Sequence, residues 1–167
     1  MPVRSILALG SNLGASADTL ARTVALLDEH ERIAVEAVSP VAVTAPVGGP
    51  EGQPDFLNQV VRVATDLRPF TLLRYCQELE EAFDRVREVR WGPRTLDVDI
   101  VTYGELIMDE PELTLPHPRA AERAFVLAPW ALMDPEATLG GVLVSALAER
   151  APDREGLRGY LDPSAEE

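Results

Sequence analysis

The chain has no lysine: its 15 basic side chains are all arginine, and they face 28 acidic ones. The formal net charge of −13 gives a surface that repels nucleic acid and anionic membranes, so neither is expected as a partner. A Walker-type phosphate loop requires a lysine, so a nucleotide bound to this chain has to be held in another way.

Cysteine and long apolar runs are also scarce. The single cysteine, Cys76, has no partner for an internal disulfide. Its helical spacing with Leu72, Leu79 and Phe83 predicts a small buried side chain and not a nucleophile. No apolar run approaches the roughly 18 residues of a membrane span, and no signal peptide is recognisable. These absences predict a soluble cytoplasmic protein.

The residues that are present predict one folded domain, since 46% of the 167 residues are hydrophobic. Apolar periodicity predicts strands at 5–9, 33–44 with a break near Pro40, 56–65 and 96–103, and helices at 17–29, 70–83, 123–133 and 142–150. Two long loops, 45–55 and 84–93, separate these elements. The order predicts an α+β fold: a ferredoxin-like antiparallel sheet with two helices on one face, followed by further elements.

The segment WGPRTLDVDI, residues 91–100, carries the most chemical information. Asp97 and Asp99 alternate with apolar residues in a predicted strand, so both carboxylates leave the same face. Such a pair repels unless a cation lies between the two groups or one of them is protonated. Mg²⁺ favours one or two carboxylates together with substrate phosphates. The preceding loop is rich in guanidinium groups, which match phosphate geometry, and these are Arg85, Arg87, Arg90 and Arg94.

The residues alone leave three interpretations open. The carboxylate pair and arginine loop favour metal-assisted chemistry on a phosphorylated substrate. This pattern does not identify the molecule that accepts the transferred group. It is therefore equally consistent with a metal-dependent nucleotidyl or phosphoryl transferase that has a different acceptor. A ferredoxin-like regulatory module that binds a small ligand is the third interpretation, although such a module has no need of the Asp97–Asp99 pair.

The chain resembles the family of 6-hydroxymethyl-7,8-dihydropterin pyrophosphokinases (HPPK) of folate biosynthesis. The resemblance rests on five blocks in the same order: ALGSNLG at 8–14, TAPVG at 44–48, QPDFLN at 53–58, RWGPRTLDVDI at 90–100, and LPHPR at 115–119 followed by RAFVLAP at 123–129. It implies a catalytic domain at 1–150. The polar composition from residue 151 onward predicts a loosely ordered tail at 151–167.

The resemblance also implies a reaction and its cofactor. The diphosphoryl group of ATP passes to the hydroxymethyl group of the pterin, and AMP is released. Two Mg²⁺ ions, bound by Asp97 and Asp99, neutralise phosphate charge during the transfer. The expected partners are these two small substrates, and the protein is expected to act as a monomer.

Site residues carry over by position in the matching blocks. Those implied in catalysis are Arg85, Arg94, Asp97 and Asp99. Those implied in ATP binding are Gln77, Glu80, Arg87, Arg90, Trp91, Ile100 (through its backbone), Thr114, His117 and Arg123. Those implied in pterin binding are Thr44, Pro46, Val47, Phe56, Asn58 and Phe125. Phe56 and Phe125 stack on the two faces of the ring, and Thr44 and Asn58 contact its polar edge.

Overall fold

A computed structural model describes residues 2–12, 16–45, 54–83 and 95–161. The strands are β1 (Val3–Ser11), β2 (Ile33–Val38), β3 (Ala42–Thr44), β4 (Phe56–Thr65), β5 (Asp97–Tyr103), β6 (Met108–Asp109), β7 (Thr114–Leu115), β8 (Thr138–Leu139), β9 (Val142–Leu143) and β10 (Leu157–Tyr160). The helices are α1 (Ser16–Glu29), α2 (Pro69–Phe83), α3 (Ala124–Met133) and α4 (Val144–Arg150), with 3₁₀ turns at Ala120–Glu122 and Arg154–Gly156.

The main sheet is antiparallel, with strand order β10-β3-β4-β1-β5, and β2 also pairs with β4. Each of the units β1-α1-β2 and β4-α2-β5 therefore has one strand of the other unit lying between its own two strands. This arrangement confirms the predicted antiparallel α+β class and is compatible with the ferredoxin-like layout.

One face of the sheet packs on α1 and α2. Alternate strand residues such as Leu7, Val61 and Ile100 meet Leu20 of α1 and Leu72 of α2 in one buried cluster. Cys76 belongs to this cluster and is completely buried, as predicted. The apolar spacing along both helices matches the face that they bury, because helical residues three and four apart lie on the same side.

The opposite face of the sheet is covered by α3 and α4, two predicted helices that the sequence did not assign to a face. Val60 and Val101 from the sheet pack against Leu127 and Trp130 of α3 and Val144 of α4. Helix α3 is apolar almost all round, AFVLAPWALM, which is typical of a helix buried on several sides. Leu127 and Trp130 are core residues, at 0% and 3% exposure.

Two element predictions need correction. Residues 142 and 143 are not helical but form β9, which pairs with β8 before α4 begins. Residues 157–160 were expected in a loosely ordered tail, yet they form β10 and pair with β3. A strand at the edge of a sheet presents unpaired backbone groups, and β10 covers those of β3. Within the described ranges, no helix is long and apolar enough to cross a membrane.

Candidate active site

Asp97 and Asp99 project from β5 toward the face of the sheet that carries α3, and both are part-buried. In the register with β1, Asp97 lies opposite Gly10, and Asp99 lies opposite Ala8. Paired residues of antiparallel strands share a face, so the two carboxylates stand beside the two smallest side chains that a strand can offer. The predicted placement of both carboxylates on one face is thus realised.

A row across three strands connects the carboxylates to an amide. Gly10 pairs with Asp97 on one side and with Asn58 of β4 on the other. Two strand spacings separate Asn58 from Asp97, a distance of about 10 Å between their Cα atoms. Since Gly10 has no side chain, the Asn58 side-chain oxygen can lie close to it, 3.0 Å from the position that a Cβ atom would occupy.

The amide end of this row is rigidly held. Asn58 Nδ2 donates a hydrogen bond of 2.9 Å to Thr44 Oγ1, and both side chains are 7% exposed. Phe56 lies opposite Thr44 and, two residues before Asn58, points to the same face. Thr44, Phe56 and Asn58 therefore lie together, and their role toward the pterin stays a prediction.

The second predicted ring-stacking residue, Phe125, lies in the first turn of α3. Its ring is part-buried beside the cluster under that helix. The Arg123 guanidinium carbon lies 5.6 Å from the ring centroid, within range of a cation–π contact. Phe125 is not a fully buried core residue, which leaves ring surface for a ligand.

His117 lies beside the outer edge of β5. Its backbone N–H donates to the carbonyl of Val101 at 2.8 Å, and its Nδ1 accepts from the backbone N–H of Arg119 at 3.2 Å. The pKa of His117 is lowered, mainly by burial; Asp99 acts in the opposite direction, while Arg123 and Arg119 lower it further. A neutral ring with an accepting Nδ1 carries its proton on Nε2, which is then a hydrogen-bond donor.

Glu80 of α2 contacts the backbone between the two aspartates. Its Oε2 accepts a 2.8 Å hydrogen bond from the N–H of Val98. Because this N–H bonds to Glu80 and β5 ends the sheet among the described strands, the N–H points to the outer edge and away from β1. Backbone groups alternate along a strand, so those of Ile100 are directed to the same open edge.

The other predicted nucleotide residues have more varied surroundings. The Ile100 side chain is 3% exposed and belongs to the core, so its backbone alone is available for a ligand. Gln77 is exposed on α2. Thr114 in β7 is part-buried, and its hydroxyl donates a long 3.5 Å contact to the carbonyl of Glu110.

Seven predicted residues lie outside the described ranges, together with most of both predicted loops. They are Pro46, Val47, Arg85, Arg87, Arg90, Trp91 and Arg94. Their roles remain predictions.

Comparison with known proteins identifies the family. The family model for 7,8-dihydro-6-hydroxymethylpterin-pyrophosphokinase (HPPK) matches residues 6–135. The chain belongs to this family. A 2-amino-4-hydroxy-6-hydroxymethyldihydropteridine pyrophosphokinase of Bacillus subtilis is 47% identical over 125 residues, covering 75% of this chain and 74% of that protein. Its counterpart from Pseudomonas aeruginosa is 44% identical over 139 residues, covering 81% and 83% respectively.

Some HPPK-family proteins carry a second activity in the same chain. The bifunctional protein FolKE of Lactococcus lactis strain IL1403 is 38% identical over 152 residues, which cover 90% of this chain but 43% of that protein. A crystal structure of Plasmodium falciparum HPPK-DHPS with pterin and p-hydroxybenzoate has a TM-score of 0.69 at 14% identity, covering 90% of this chain and 42% of that one. At this identity the match supports the fold alone.

Sequence reasoning missed one member of the row. Gly10 was recognised within the ALGSNLG block but not as part of the site. The available signal was a glycine inside a strand, where it weakens the element and often marks a close approach of a ligand or another backbone.

Proposed function

We propose that this protein transfers the diphosphoryl group of ATP to the hydroxymethyl group of 6-hydroxymethyl-7,8-dihydropterin, releasing AMP, and that it acts in the cytoplasm as a monomer. Family membership supports pyrophosphokinase activity on this pterin in folate biosynthesis. The substrate oxygen forms a bond to the β-phosphorus while the bond from that phosphorus to the α,β-bridging oxygen breaks. The hydroxyl proton is lost, and AMP leaves with the bridging oxygen.

The row Asn58–Gly10–Asp97 carries this proposal. An amide that is suited to a heterocycle edge stands at one end, and a carboxylate pair that is suited to a metal–phosphate complex stands at the other. Gly10, which adds no side chain, lies between them. A flat pterin bound at Asn58 would direct its hydroxymethyl group along this row toward the phosphates.

Asp97 and Asp99 fit Mg²⁺ as carboxylate ligands. Among the described residues, no group of three or more His, Cys, Asp or Glu side chains is arranged for a metal ion. Mg²⁺ is commonly bound by one or two carboxylates while substrate phosphates and water complete its coordination. When bound, the metal would neutralise phosphate charge, and we propose two such ions.

On the nucleotide side, the chain supplies positive charge and one neutral donor. Arg123 and Asp99 both influence the pKa of His117, Arg123 lowering it and Asp99 raising it. We assign Arg123 and the Nε2–H of His117 to phosphate oxygens. The loop arginines 85, 87, 90 and 94 are proposed to surround the transferring group, where guanidinium forks match phosphate. Trp91, Gln77, Thr114 and the Ile100 backbone are proposed to contact the nucleoside.

On the pterin side, Phe56 and Phe125 are proposed to hold the ring between them. The Thr44–Asn58 pair would contact its polar edge, and Pro46 and Val47 would complete the pocket. The hydrogen bond between Thr44 and Asn58 fixes the amide before substrate arrives, which lowers the entropy cost of binding.

A product assay tests the function directly. The protein is incubated with ATP and Mg²⁺, with and without the pterin, and the nucleotides are separated. AMP formed only in the presence of pterin is the expected result. ADP would indicate an ordinary kinase, and no turnover with ligand-induced thermal stabilisation would indicate a binding module.

A further inference from the structure

Residues 151–161, here named the C-terminal strap, lie beyond the part of the chain that the family model matches. The family match ends at residue 135. The strap begins at Ala151, which is 3% exposed in the cluster beneath α3, and it ends beside β3. Its course takes it past every described element to which we assign pterin contacts.

The first connection is to β3. Leu157 pairs with Thr44, and the carbonyl of Gly156 accepts a 2.9 Å hydrogen bond from the N–H of Ala45. The N–H of Leu161 donates to the carbonyl of Val41 at 2.9 Å. The strap therefore bonds to the backbone just before and just after β3. Because β3 has only three residues, these bonds fix the position of Thr44.

The second connection is to the start of α3. Asp153 Oδ1 accepts a 2.7 Å hydrogen bond from the N–H of Ala124, the first residue of the helix. The residue at the cap position, Arg123, makes no side-chain capping bond. A carboxylate 29 residues away in the sequence thus performs the capping function and places negative charge at the positive end of the helix. Ala124 stands between Arg123 and Phe125.

The third connection is to the start of β4. Arg158 Nε lies 3.1 Å from Asp55 Oδ1, and Asp55 directly precedes Phe56. The three connections reach Thr44 itself and the immediate neighbours of Phe125 and Phe56. A segment that only completed the sheet would need the pairing with β3 and neither of the two side-chain contacts.

We propose that the C-terminal strap is a positioning element for the pterin subsite, in which Asp153 sets the first turn of α3 and Arg158 sets the start of β4. This inference rests on the proposed function, because it requires the pterin to bind between these elements. Neither side chain is a catalytic residue; each acts through the residues that touch the substrate.

The principal test compares two aspartates at opposite ends of α3. Asp134 Oδ1 accepts a 3.1 Å bond from the N–H of Glu136 after the helix ends, and its Oδ2 lies 3.7 Å from Arg62 Nη1. Asp134→Ala removes both contacts. Pterin affinity is measured by calorimetry below the melting temperature of each variant. Asp153→Ala is expected to weaken it about fivefold, from the usual worth of a helix cap, while Asp134→Ala leaves it unchanged. Asp153→Asn keeps an acceptor oxygen and should restore most of the affinity.

An independent test uses two exposed Arg–Asp pairs. Arg158→Ala breaks the contact with Asp55, and Arg32→Ala breaks the 2.8 Å contact with Asp66 far along the sheet. Because both pairs are exposed, both variants should stay folded. Arg158→Ala is expected to raise the KM for pterin with kcat retained, and Arg32→Ala to change neither.

The outcomes distinguish a failure of the strap's positioning role from a failure of the proposed function. Parent-like pterin affinity in both Asp153→Ala and Arg158→Ala would overturn the role of the strap while leaving the function intact. If Asp134→Ala and Arg32→Ala lost as much pterin affinity as Asp153→Ala and Arg158→Ala, the role of the strap would also be overturned. Equal losses would reflect a general loosening of the fold. Absence of pterin binding by the parent protein would overturn the proposed function, and this inference with it.

Discussion

A Cβ atom at Gly10 would lie 3.0 Å from the side-chain oxygen of Asn58. The contact is closer than side chains normally allow, and the Asn58 amide cannot withdraw freely because its nitrogen is bonded to Thr44. Glycine at this position therefore preserves the orientation of the Asn58 amide.

Gly10→Ala is accordingly expected to weaken pterin binding more than ATP binding. The added methyl group displaces Asn58 from its bond with Thr44, whereas the ATP-side groups His117 and Arg123 lie elsewhere. The melting temperature should change little. Alanine loses less conformational freedom on folding than glycine does, and this gain offsets the crowding against Asn58. Separate calorimetric titrations with pterin and with a non-hydrolysable ATP analogue measure the difference. Equal losses for the two ligands would contradict the assignment.

Phe125→Ala should also reduce pterin affinity selectively. The part-buried ring offers a face to the substrate, and aromatic stacking contributes roughly 0.5–1.5 kcal/mol beyond apolar burial. Trp130→Ala is the control, since Trp130 is 3% exposed in the same helix and acts only in the core. Trp130→Ala should lower the melting temperature strongly. If Phe125→Ala behaved in the same way, with both ligands affected equally, Phe125 would be a core residue.

The sequence predicted the elements that carry the site because their patterns are local. Alternation placed Asp97 and Asp99 on one face of β5, and the apolar spacing of α2 buried Cys76. The β4 bounds, Phe56–Thr65, also match the prediction. Each depends on the period of a helix or strand, which a short stretch of sequence records.

The remaining features depend on contacts between distant residues. Nothing near Asp153 in the sequence indicates that it bonds to Ala124, and the pairing of β10 with β3 joins residues more than 110 positions apart. The polar composition of 151–161 is typical of a tail, but the exposed edge of β3 makes a partner strand favourable. Contacts between distant residues also explain why α3 and α4 cover the second face of the sheet. An apolar sheet face has to be buried against another layer of secondary structure.

Glu80→Ala is expected to lower kcat/KM for ATP about tenfold, the cost of roughly 1.4 kcal/mol for a lost charge-assisted hydrogen bond. Without the carboxylate, the N–H of Val98 loses its partner and β5 is less firmly held between the two aspartates. Glu80→Gln retains an acceptor oxygen and should recover most of the activity. Glu78→Ala is the matched control, because Glu78 is exposed on the same helix. Steady-state kinetics with varied ATP measure the effect, and parent-like values for Glu80→Ala would remove Glu80 from the site.

Cys76 should resist alkylation in the folded protein. Burial raises the pKa of its thiol to about 12, and the negative charges of Glu80 and Asp99 act in the same direction. At pH 8 only about one thiol in ten thousand is then ionised, and the thiolate is the reactive form. Mass spectrometry after iodoacetamide treatment should show no modification of native protein and complete modification in denaturant. Rapid native labelling would mean that α2 opens readily.

Asp97→Ala and Asp99→Ala should each abolish turnover while leaving the fold intact. Both carboxylates are proposed to bind the cation that neutralises the transferring phosphates, and the core contacts of β5 come from Val98 and Ile100 on the opposite face. Asp109→Ala provides the control, because Asp109 is an exposed strand aspartate in β6. AMP formation and circular dichroism are measured for all three variants. Activity of either site variant within about tenfold of the parent, which is roughly 1.4 kcal/mol of barrier, would exclude that carboxylate as an essential metal ligand.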